Sequence, residues 1–361
     1  MKSRREKLRA RLPEIGVDAL LSMKQVNVRY LTGFSGSNGQ VIVGAEDIFL
    51  TDPRYEEQSS HEVPDIRREV YYTSAKMIGE AGGMIGTLAA VIAEAKIERL
   101  AVEANYVTLS TARSLREALP GVELVETTDE IEKLRIIKDH GEIDALRTAC
   151  SIADQALTAL LPQLKDGMTE VEVATILEYE MRKAGSEGLS FDTIAAFGEQ
   201  AAEPHHHPAD RKLARGDLVK LDFGATFRGY HSDMTRTISF GEPSAEMRKI
   251  YDLVQASQQA GLDAVRAGVT GGDVDAASRD YLEKHGYTFG HGTGHGLGLE
   301  VHEAPPVRRG GTHVLEAGTA ITVEPGIYLP GTGGVRIEDS VVVTEDGCDI
   351  LTGSTKELVV V

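Results

Sequence analysis

The sequence is poor in cysteine: only Cys150 and Cys348 occur among 361 residues, far apart in the chain. Two isolated cysteines supply neither the paired spacing of a thiolate zinc site nor the framework of a disulfide-rich secreted domain. Both classes of site are therefore excluded. Low cysteine content is typical of proteins in a reducing compartment, and we expect a cytoplasmic protein.

Long apolar runs are also missing. No stretch approaches the roughly 18 consecutive apolar residues that a membrane-spanning helix needs. The opening segment MKSRREKLRARLPEIG is basic, as in a signal peptide, but no apolar segment or small-residue cleavage site follows it. We therefore expect a soluble protein without membrane contact, whose first residues form an amphipathic helix.

Positive charge is scarce as well. The chain has 38 lysine and arginine residues against 56 aspartate and glutamate residues, which gives a formal net charge of -18 at pH 7. This balance repels phosphate backbones and anionic lipids, so nucleic acid and membrane surfaces are excluded as expected partners. Solubility explains most of the acidity, although buried carboxylates around cations would add to it.

The length of 361 residues exceeds the size at which one hydrophobic core usually stops growing, and we expect two domains. In the first part, short apolar runs alternate with helical patterns, including a helix predicted over residues 77–97. A strongly charged stretch from Val125 to His140 indicates a boundary near residue 130. The sequence thus predicts a small mixed α/β domain over 1–130 and a second domain over 131–361.

The second domain mixes helical and strand-like patterns. Apolar positions recur at helical spacing over residues 139–164, and Thr169 with Glu172 begins a further helix in the pattern of a capping box. Glycine-rich, strand-like segments follow, interrupted by helices predicted over about 244–267 and 272–285. We predict an α+β domain in which helices cover one face of an antiparallel sheet.

A first candidate hairpin carries two carboxylates. In GDLVKLDFGATFRGYHSDMTRT, strand-like runs flank the turn ATFRGY, and Asp222 and Asp233 lie on opposite arms. If the turn is centred between Phe227 and Arg228, the two aspartates face each other with β-carbons roughly 5 Å apart. Two buried like charges at that distance need a cation. Exposed strand aspartates are the alternative, but the apolar neighbours favour burial.

A second candidate hairpin repeats the arrangement. The segment ITVEPGIYLPGTGGVRIEDSVVV carries Glu324 and Glu338 on arms whose midpoint is Gly331. One acidic pair could share a proton, but two pairs on successive hairpins are explained most simply by two metal ions. Asp339 directly follows Glu338, and the midpoint favours Glu338 of the two.

The glycine-rich segment HGTGHGLGLEVHE adds His291, His295 and His302. Its glycines let the backbone approach a small site closely. A lone histidine is usually a core or surface residue, but this cluster favours a ligand or catalytic role, with His295 as the fifth ligand candidate. Four carboxylates and one imidazole suit manganese, with cobalt, iron or zinc as alternatives and magnesium less suitable.

Taken together, these motifs resemble the pita-bread-fold metallopeptidases, and within them the proline-specific branch of prolidase and aminopeptidase P. The resemblance covers most of residues 135–361 in the family's order, with weaker matches nearer the N terminus. The matching segments are SFDTI, the PH of EPHHHP, RGDLVKLDFGA, GYHSDMTRT, HGTGHGLGLEVHE, TVEPGIY and GGVRIEDS, together with YLTGFSGSNG and LTDPRY. It implies a creatinase/prolidase-like N-terminal domain followed by a pita-bread catalytic domain.

The resemblance also implies how two divalent ions are held. Asp222 would chelate one ion, Asp233 and Glu338 would bridge both, and His295 with Glu324 would complete the other. All five residue types are present, which argues against the relatives that have lost the ligands.

Further residues take roles from the same resemblance. His205 would contact the scissile region, although the run of His205, His206 and His207 leaves the choice among the three open. On the substrate-binding side, His291 would line the proline pocket and Arg336 would hold a metal-bound carboxylate in place by a charge-assisted hydrogen bond.

The implied reaction is hydrolysis of the peptide bond before a proline. The ions would lower the pKa of a water and polarise the scissile carbonyl. Glu324 would move a proton from that water to the leaving nitrogen, and His302 would donate to the tetrahedral intermediate. The preference for proline is implied by the resemblance alone.

Substrate length stays open between a Xaa-Pro dipeptidase, towards which we lean, and a Xaa-Pro aminopeptidase. A dipeptidase needs a cation for the carboxylate next to the proline, and Arg54 and Arg29 are candidates. Each could instead be a surface arginine or pair with Asp52. We expect a homodimer, in which the N-terminal domain of the partner subunit closes the far side of the cleft.

Other classes of protein remain as alternatives. A methionine aminopeptidase would share the ligands, but an N-terminal domain of roughly 130 residues is not expected in that branch. A creatinase-like hydrolase would share both domains but lack the ligands. A ligand-bearing pseudoenzyme would act as a binding module, yet no catalytic position is substituted.

Overall fold

A computed structural model describes residues 1–72 and 83–361 of the chain. Its contacts divide the chain into two compact units, Met1–Arg135 and Ile136–Val361. The first unit thus ends at Arg135, compared with the boundary near residue 130 that the sequence indicates. The beginning of the helix predicted over residues 77–97 lies outside the described residues, which resume at Gly83.

The first unit alternates helices and strands, with a short 3-10 helix at Pro53–Tyr55. Its elements in chain order are α1 (Lys2–Ile15), β1 (Ala19–Ser22), α2 (Gln25–Thr32), β2 (Gly39–Val43), β3 (Ile48–Thr51), α3 (Glu56–Glu62), β4 (Arg67–Val70), α4 (Gly83–Glu94), β5 (Arg99–Glu103), α5 (Leu109–Ala118), β6 (Glu123–Thr127) and α6 (Glu132–Arg135).

These strands form one sheet in the order β4-β3-β2-β1-β5-β6. The sheet is mixed, because β1 pairs antiparallel with β2 and parallel with β5. The inner strands β1, β2 and β3 are fully buried, as their near-continuous apolar runs require. Leu88, Ile92 and Leu115 of helices α4 and α5 pack into the same core cluster as Leu21 and Ile42 of the sheet. The predicted mixed α/β character of this part of the chain is confirmed.

The second unit begins with two long helices and continues largely as strands, with 3-10 turns at Leu161–Gln163 and Gly198–Ala202. Its elements are α7 (His140–Leu160), α8 (Glu170–Lys183), β7 (Gly188–Leu189), β8 (Ile194–Phe197), β9 (Asp217–Phe223), β10 (Ala225–Phe227), β11 (Tyr230–His231), β12 (Met234–Phe240), α9 (Ala245–Ala264), α10 (Gly271–Lys284), β13 (Gly294–Gly296), β14 (Glu303–Val307), β15 (Ala320–Val323), β16 (Gly326–Leu329), β17 (Gly333–Arg336), β18 (Asp339–Val343) and β19 (Cys348–Ile350).

Neighbouring strands of the second unit run antiparallel, in the orders β11-β10-β7, β12-β9-β8, β14-β13-β15-β18-β19 and β16-β17. Thr169 caps helix α8. Its hydroxyl accepts from the Glu172 backbone N–H while the Glu172 carboxylate accepts from the Thr169 backbone N–H, so the predicted capping box is confirmed. The apolar faces of α7 and α8 share one core cluster with β8, β9 and β12, through residues such as Leu160, Leu177 and Leu221. The α+β prediction is confirmed.

The predicted register of the first hairpin is wrong by one position at the turn. Strand β9 pairs with β12 so that Asp222 lies opposite Thr235, not Asp233. Arg228 and Gly229 have φ angles of 51° and 76°, so the turn is centred between them. Two successive positive φ angles are typical of the tight hairpin turn that matches strand twist. Asp233 therefore lies diagonally from Asp222.

The predicted centre of the second hairpin is confirmed. Strands β16 and β17 pair Leu329 with Gly333 across Gly331, and β15 and β18 continue the same register by pairing Val323 with Asp339. Glu324 and Glu338 occupy the level between these two pairs of strands. Among the described residues, no helix is long and apolar enough to cross a membrane.

Candidate active site

A cavity of about 420 Å³ opens in the second unit where the two hairpins and the glycine-rich segment meet. The structure brings together around this cavity the nine residues that the sequence assigns to metal binding, catalysis and the proline pocket. They are His205, Asp222, Asp233, His291, His295, His302, Glu324, Arg336 and Glu338.

The four carboxylates come from the ends of strands. Asp222 is near the end of β9 and Asp233 directly precedes β12, while Glu324 follows β15 and Glu338 precedes β18. The Glu338 backbone N–H donates to the Thr235 carbonyl at 3.1 Å, which ties the second hairpin to the first. Strand ends thus aim all four side chains at one cavity.

His295 reaches the carboxylates because β13 lies very close to β15. A β-carbon on the preceding Gly294 would lie 1.9 Å from the Thr322 carbonyl oxygen, so only glycine fits there. The His295 Nδ1 lies 3.0 Å from the Gly296 carbonyl oxygen and must carry the proton that it donates. Nε2 is therefore the ring nitrogen that faces the cavity, and loss of its proton would let it bind an ion.

The ligand atoms of Asp233, His295 and Glu338 all lie within 4.8 Å of one another. His295 Nε2 lies 3.5 Å from Asp233 Oδ2 and 3.6 Å from Glu324 Oε1, which is longer than a good hydrogen bond. Within the described part of the chain, Asp222 Oδ1 and Glu338 Oε1 are buried without a hydrogen-bond partner. A buried carboxylate oxygen needs either a hydrogen-bond donor or a cation. Divalent cations bound at these oxygens would meet that need.

The electrostatics agree with this donor set. Burial raises the pKa of Asp233 to about 6 and that of Glu324 to about 7, and it raises the pKa of Glu338 well above its usual range. Burial disfavours protonated His295, but the nearby carboxylates of Asp233 and Glu324 raise its pKa to about 9. The raised pKa values show that the buried carboxylates need more positive charge nearby. Divalent metal ions would supply it, so the residues present fit such ions.

Arg336 supplies fixed positive charge beside the carboxylates. Its Nη2 donates to Asp222 Oδ2, and its Nε donates to the Thr235 hydroxyl at 2.9 Å. The same Thr235 hydroxyl donates to Glu338 Oε2 at 2.7 Å. One buried guanidinium therefore orients Asp222 directly and Glu338 through a hydroxyl.

Tyr328 is a contact that the sequence reasoning missed. Arg336 Nη1 donates to the Tyr328 hydroxyl at 3.1 Å, and that hydroxyl lies 2.9 Å from His291 Nε2. Since His291 Nδ1 donates to the Gly292 carbonyl at 2.7 Å, Nε2 accepts from the tyrosine. Burial lowers the pKa of His291 to about 4, so its ring is neutral. Tyr328 is the last residue of the segment TVEPGIY, which begins the second hairpin. Its position four residues after Glu324 was the sequence feature that could have indicated a place near the site.

The remaining histidines differ in their surroundings. The ring of His302 lies 4.4 Å from that of His295, and burial followed by repulsion from His295 lowers the pKa of His302. Of the run 205–207, His206 is held on both ring nitrogens, by Glu170 at 2.8 Å and Glu203 at 2.7 Å. This arrangement favours His205 or His207 over His206 for contact with a substrate.

Asp339 has a different environment from its neighbour Glu338. Its carboxylate pairs with Arg236 at 2.7 Å and with Lys356 at 2.8 Å, and it accepts from the Thr352 hydroxyl at 2.6 Å. Although burial disfavours the carboxylate, these cations hold the pKa of Asp339 below its usual value. Asp339 thus supports the fold beneath the cavity, while Glu338 lines it.

Asp339→Ala is expected to lower the free energy of unfolding by about 3–5 kcal/mol, because it leaves the buried Arg236 without its carboxylate. Denaturant unfolding would measure the loss. Asp346→Ala, at an exposed position shortly after the same strand, is the matched control and should change stability by less than about 0.5 kcal/mol. Equal stability of the two variants would contradict the structural role of Asp339.

Comparison with known proteins identifies the family. Residues 144–345 match the family described as Metallopeptidase family M24. The chain belongs to this metallopeptidase family. Residues 4–137 match the Creatinase/Prolidase N-terminal domain.

Similar proteins span the whole chain. A Xaa-Pro dipeptidase of Pyrococcus furiosus is 36% identical over 366 residues, covering 99% of this chain and 100% of that protein. The structure of a Xaa-Pro dipeptidase from Bacillus anthracis has a TM-score of 0.95 and 41% identity, over 100% of this chain and 99% of that chain. The structure of an X-Pro aminopeptidase from Thermotoga maritima has a TM-score of 0.91 and 37% identity, over 99% and 100%.

Family and structure together make the chain a metallopeptidase that acts on peptides with divalent metal ions. The expected resemblance to the pita-bread-fold metallopeptidases and the expected domain types are confirmed. The individual roles of the nine site residues stay predictions, and their convergence on one cavity supports them.

Proposed function

We propose that the chain is a Xaa-Pro dipeptidase that hydrolyses the bond between an N-terminal residue and a C-terminal proline. The observation that carries this proposal is the convergence of four carboxylates and one imidazole on one cavity of about 420 Å³, a volume suited to a small peptide. The similarity to two proteins named Xaa-Pro dipeptidase, over essentially their whole lengths, supports the choice of substrate.

Two divalent ions are proposed as the cofactors, with manganese as the expected metal and cobalt, iron or zinc as alternatives. Asp222 is assigned to one ion, Asp233 and Glu338 to both, and His295 with Glu324 to the other. A set of four carboxylates and one imidazole favours manganese among these metals. The mutual approach of the Asp233, His295 and Glu338 ligand atoms supports the bridging assignment.

Glu324, His302 and His205 have separate proposed roles in the hydrolysis. Bound ions supply Lewis acidity, which lowers the pKa of a water and stabilises negative charge on a carbonyl oxygen. The Glu324 carboxylate accepts a proton from the attacking water and delivers it to the leaving proline nitrogen. The neutral imidazole of His302 donates to the oxyanion that develops at the scissile carbonyl. His205, which also lines the cavity, contacts the scissile region.

The proline ring is assigned to the surface around His291. An Xaa-Pro bond has no N–H, so a site for it must recognise the ring by shape rather than by a backbone hydrogen bond. The neutral ring of His291, fixed by Gly292 and Tyr328, offers such a surface. Arg336 holds Tyr328 in place and so acts on this pocket as well as on Asp222.

A Xaa-Pro aminopeptidase is the second candidate, and the similarity to the Thermotoga maritima X-Pro aminopeptidase favours it. The two activities differ in whether a cation meets the carboxylate next to the proline. In the first unit, Arg54 is oriented by Asp52 through bonds of 2.9 and 2.8 Å, while its side chain stays 73% exposed. An oriented, accessible guanidinium is the kind of group that this purpose requires.

Three substrates test the proposal in the presence of manganese: a Xaa-Pro dipeptide, the matching Xaa-Ala dipeptide and a Xaa-Pro-Yaa tripeptide. We expect kcat/KM for Xaa-Pro to exceed that for Xaa-Ala by about 10- to 100-fold, because the pocket buries the extra methylenes of the ring. We also expect Xaa-Pro to be cleaved faster than Xaa-Pro-Yaa. A faster tripeptide would make aminopeptidase the correct activity, and no cleavage before proline would refute both.

The Arg54→Ala variant tests whether Arg54 binds the carboxylate next to the proline. It should weaken cleavage of the dipeptide and spare the tripeptide, whose carboxylate lies one residue further out. Arg113→Ala, also at an exposed position of the first unit, is the matched control and should leave both activities unchanged. Equal losses on the two substrates would remove Arg54 from substrate selection.

A further inference from the structure

The segment that carries His205 into the cavity has little regular structure of its own. It leaves β8 at Phe197, forms the 3-10 turn Gly198–Ala202 and then runs without a strand or helix to β9 at Asp217. A side chain on such a segment holds its place only if the backbone around it is fixed by other residues. Two sets of buried charged groups fix it.

The first set is centred on Lys220, a residue in the middle strand β9. Lys220 pairs with Ala196 on one side and Thr237 on the other, and it is fully buried. Its Nζ donates to the backbone carbonyls of Ala201 at 3.1 Å and of Glu203, with a longer contact of 3.5 Å to that of Pro204. An ammonium group has three donors and no acceptor, so three carbonyl oxygens match it.

The carbonyl of Pro204, directly before His205, also accepts from a second basic side chain. Arg336 Nη1 donates to it at 3.1 Å, from the same guanidinium that binds Asp222. The backbone on the N-terminal side of His205 is therefore held by two buried basic side chains, Lys220 and Arg336. Burial, followed by repulsion from Arg336, lowers the pKa of Lys220 to about 7, and its amine donates hydrogen bonds in either protonation state. A buried lysine is costly unless it is paired, and here its partners are almost entirely this one segment.

The second set lies on the C-terminal side of His205. Glu170, the first residue of α8, is fully buried, and its carboxylate accepts from the backbone N–H groups of Phe197 at 2.8 Å and Ala209 at 3.0 Å. It also binds His206 Nε2 at 2.8 Å, while His206 Nδ1 binds Glu203 at 2.7 Å. One carboxylate thus joins the start of the segment, its backbone at Ala209 and the residue directly after His205.

We infer that Lys220 and the Glu170–His206 pair are positioning groups that set the place of the His205 side chain from its two sides. The inference rests on the proposed role of His205 in contact with the scissile region. Lys220 and Glu170 do not line the cavity, and the ring of His206, which does, is held on both nitrogens by Glu170 and Glu203. Both groups therefore act through His205. A purely structural role would instead lower stability without changing the turnover of the folded enzyme.

A double-mutant cycle separates these readings. Lys220→Met should lower kcat by about 10- to 100-fold, because a displacement of about 1 Å at a catalytic group has effects of this size. KM should change much less. In a His205→Ala background, Lys220→Met should cause no further loss, since the group through which it acts is already gone.

Two controls accompany the cycle. Val219→Ala truncates a core residue of the same strand, whose side chain packs in the core cluster with α7 and α8, and it should lower stability while leaving kcat within about twofold. Lys212→Met, at an exposed lysine in the loop before β9, should change neither quantity. Glu170→Gln repeats the test from the other side, should Lys220→Met fail to fold. A crystal structure of either variant should show the His205 ring displaced.

The outcomes are distinct. Equal factors of loss for Lys220→Met in the wild-type and His205→Ala backgrounds would overturn the inference and leave the proposed function intact. Normal turnover of His205→Ala would refute the role of His205 itself, and the inference with it. Unchanged kcat and an unmoved His205 in both the Lys220→Met and Glu170→Gln variants would show that the two groups only stabilise the fold.

Discussion

Asp233→Asn and Glu338→Gln are each expected to lower kcat/KM by about a thousandfold or more and to reduce the number of divalent ions bound per chain. Each substitution keeps the size of the side chain and removes one of the two carboxylates assigned to both ions. Metal-based stabilisation of a developing charge is worth several kcal/mol, which corresponds to at least that factor in rate. Metal analysis and steady-state kinetics on the same samples measure both effects.

Matched controls are available at two exposed acidic residues. Asp346→Asn and Glu345→Gln remove the same charges at exposed positions after β18, and both should keep full activity and metal content. If Asp233→Asn retained two ions and normal turnover, the bridging assignment would be wrong. A loss of metal in the control variants would instead indicate a general effect of charge.

His302→Ala is expected to lower kcat by about 100- to 1,000-fold while KM changes little. The proposed hydrogen bond from His302 forms with an oxyanion that exists only near the transition state, and loss of one such donor has effects of this size. The ring lies 4.4 Å from that of His295, and its lowered pKa leaves it neutral at neutral pH, with one N–H to donate. Metal content should stay unchanged.

His140→Ala serves as the control for this variant, because His140 is an exposed residue at the start of α7. It should leave both kinetic constants unchanged. A His302→Ala enzyme whose only defect is a raised KM would place His302 among substrate-binding groups. Loss of metal from the variant would show that His302 acts on the ligands.

The hairpin carboxylates and the glycine-rich histidine segment could be predicted because their signals are local. A carboxylate in an apolar strand, a turn signal between two arms and glycines beside a histidine each lie within a few residues of the group concerned. The second hairpin follows its predicted centre at Gly331. The first hairpin does not follow its predicted centre, because Arg228 adopts a positive φ angle and the turn is shifted by one position. A positive φ angle is uncommon for a residue other than glycine, so the sequence did not indicate it.

The residues that hold the site in place could not be predicted in the same way. Tyr328, Lys220 and Glu170 act through contacts with distant segments of the chain. Glu170 contacts Ala209, and Tyr328 contacts His291. Lys220 did give a signal, since a lysine within the apolar run LVKLDF must find buried acceptors. Which carbonyls accept from it depends on the path of a loop, and no periodicity in the sequence encodes that path.

Reconstitution of the metal-free protein tests the central claim most directly. Manganese would be added in known ratios to the chelator-treated chain, with bound metal and hydrolysis of a Xaa-Pro dipeptide measured at each step. We expect negligible activity without metal, and activity that saturates when two ions are bound per chain. Full activity of the metal-free protein, or saturation of binding without hydrolysis of the Xaa-Pro bond, would contradict the central claim.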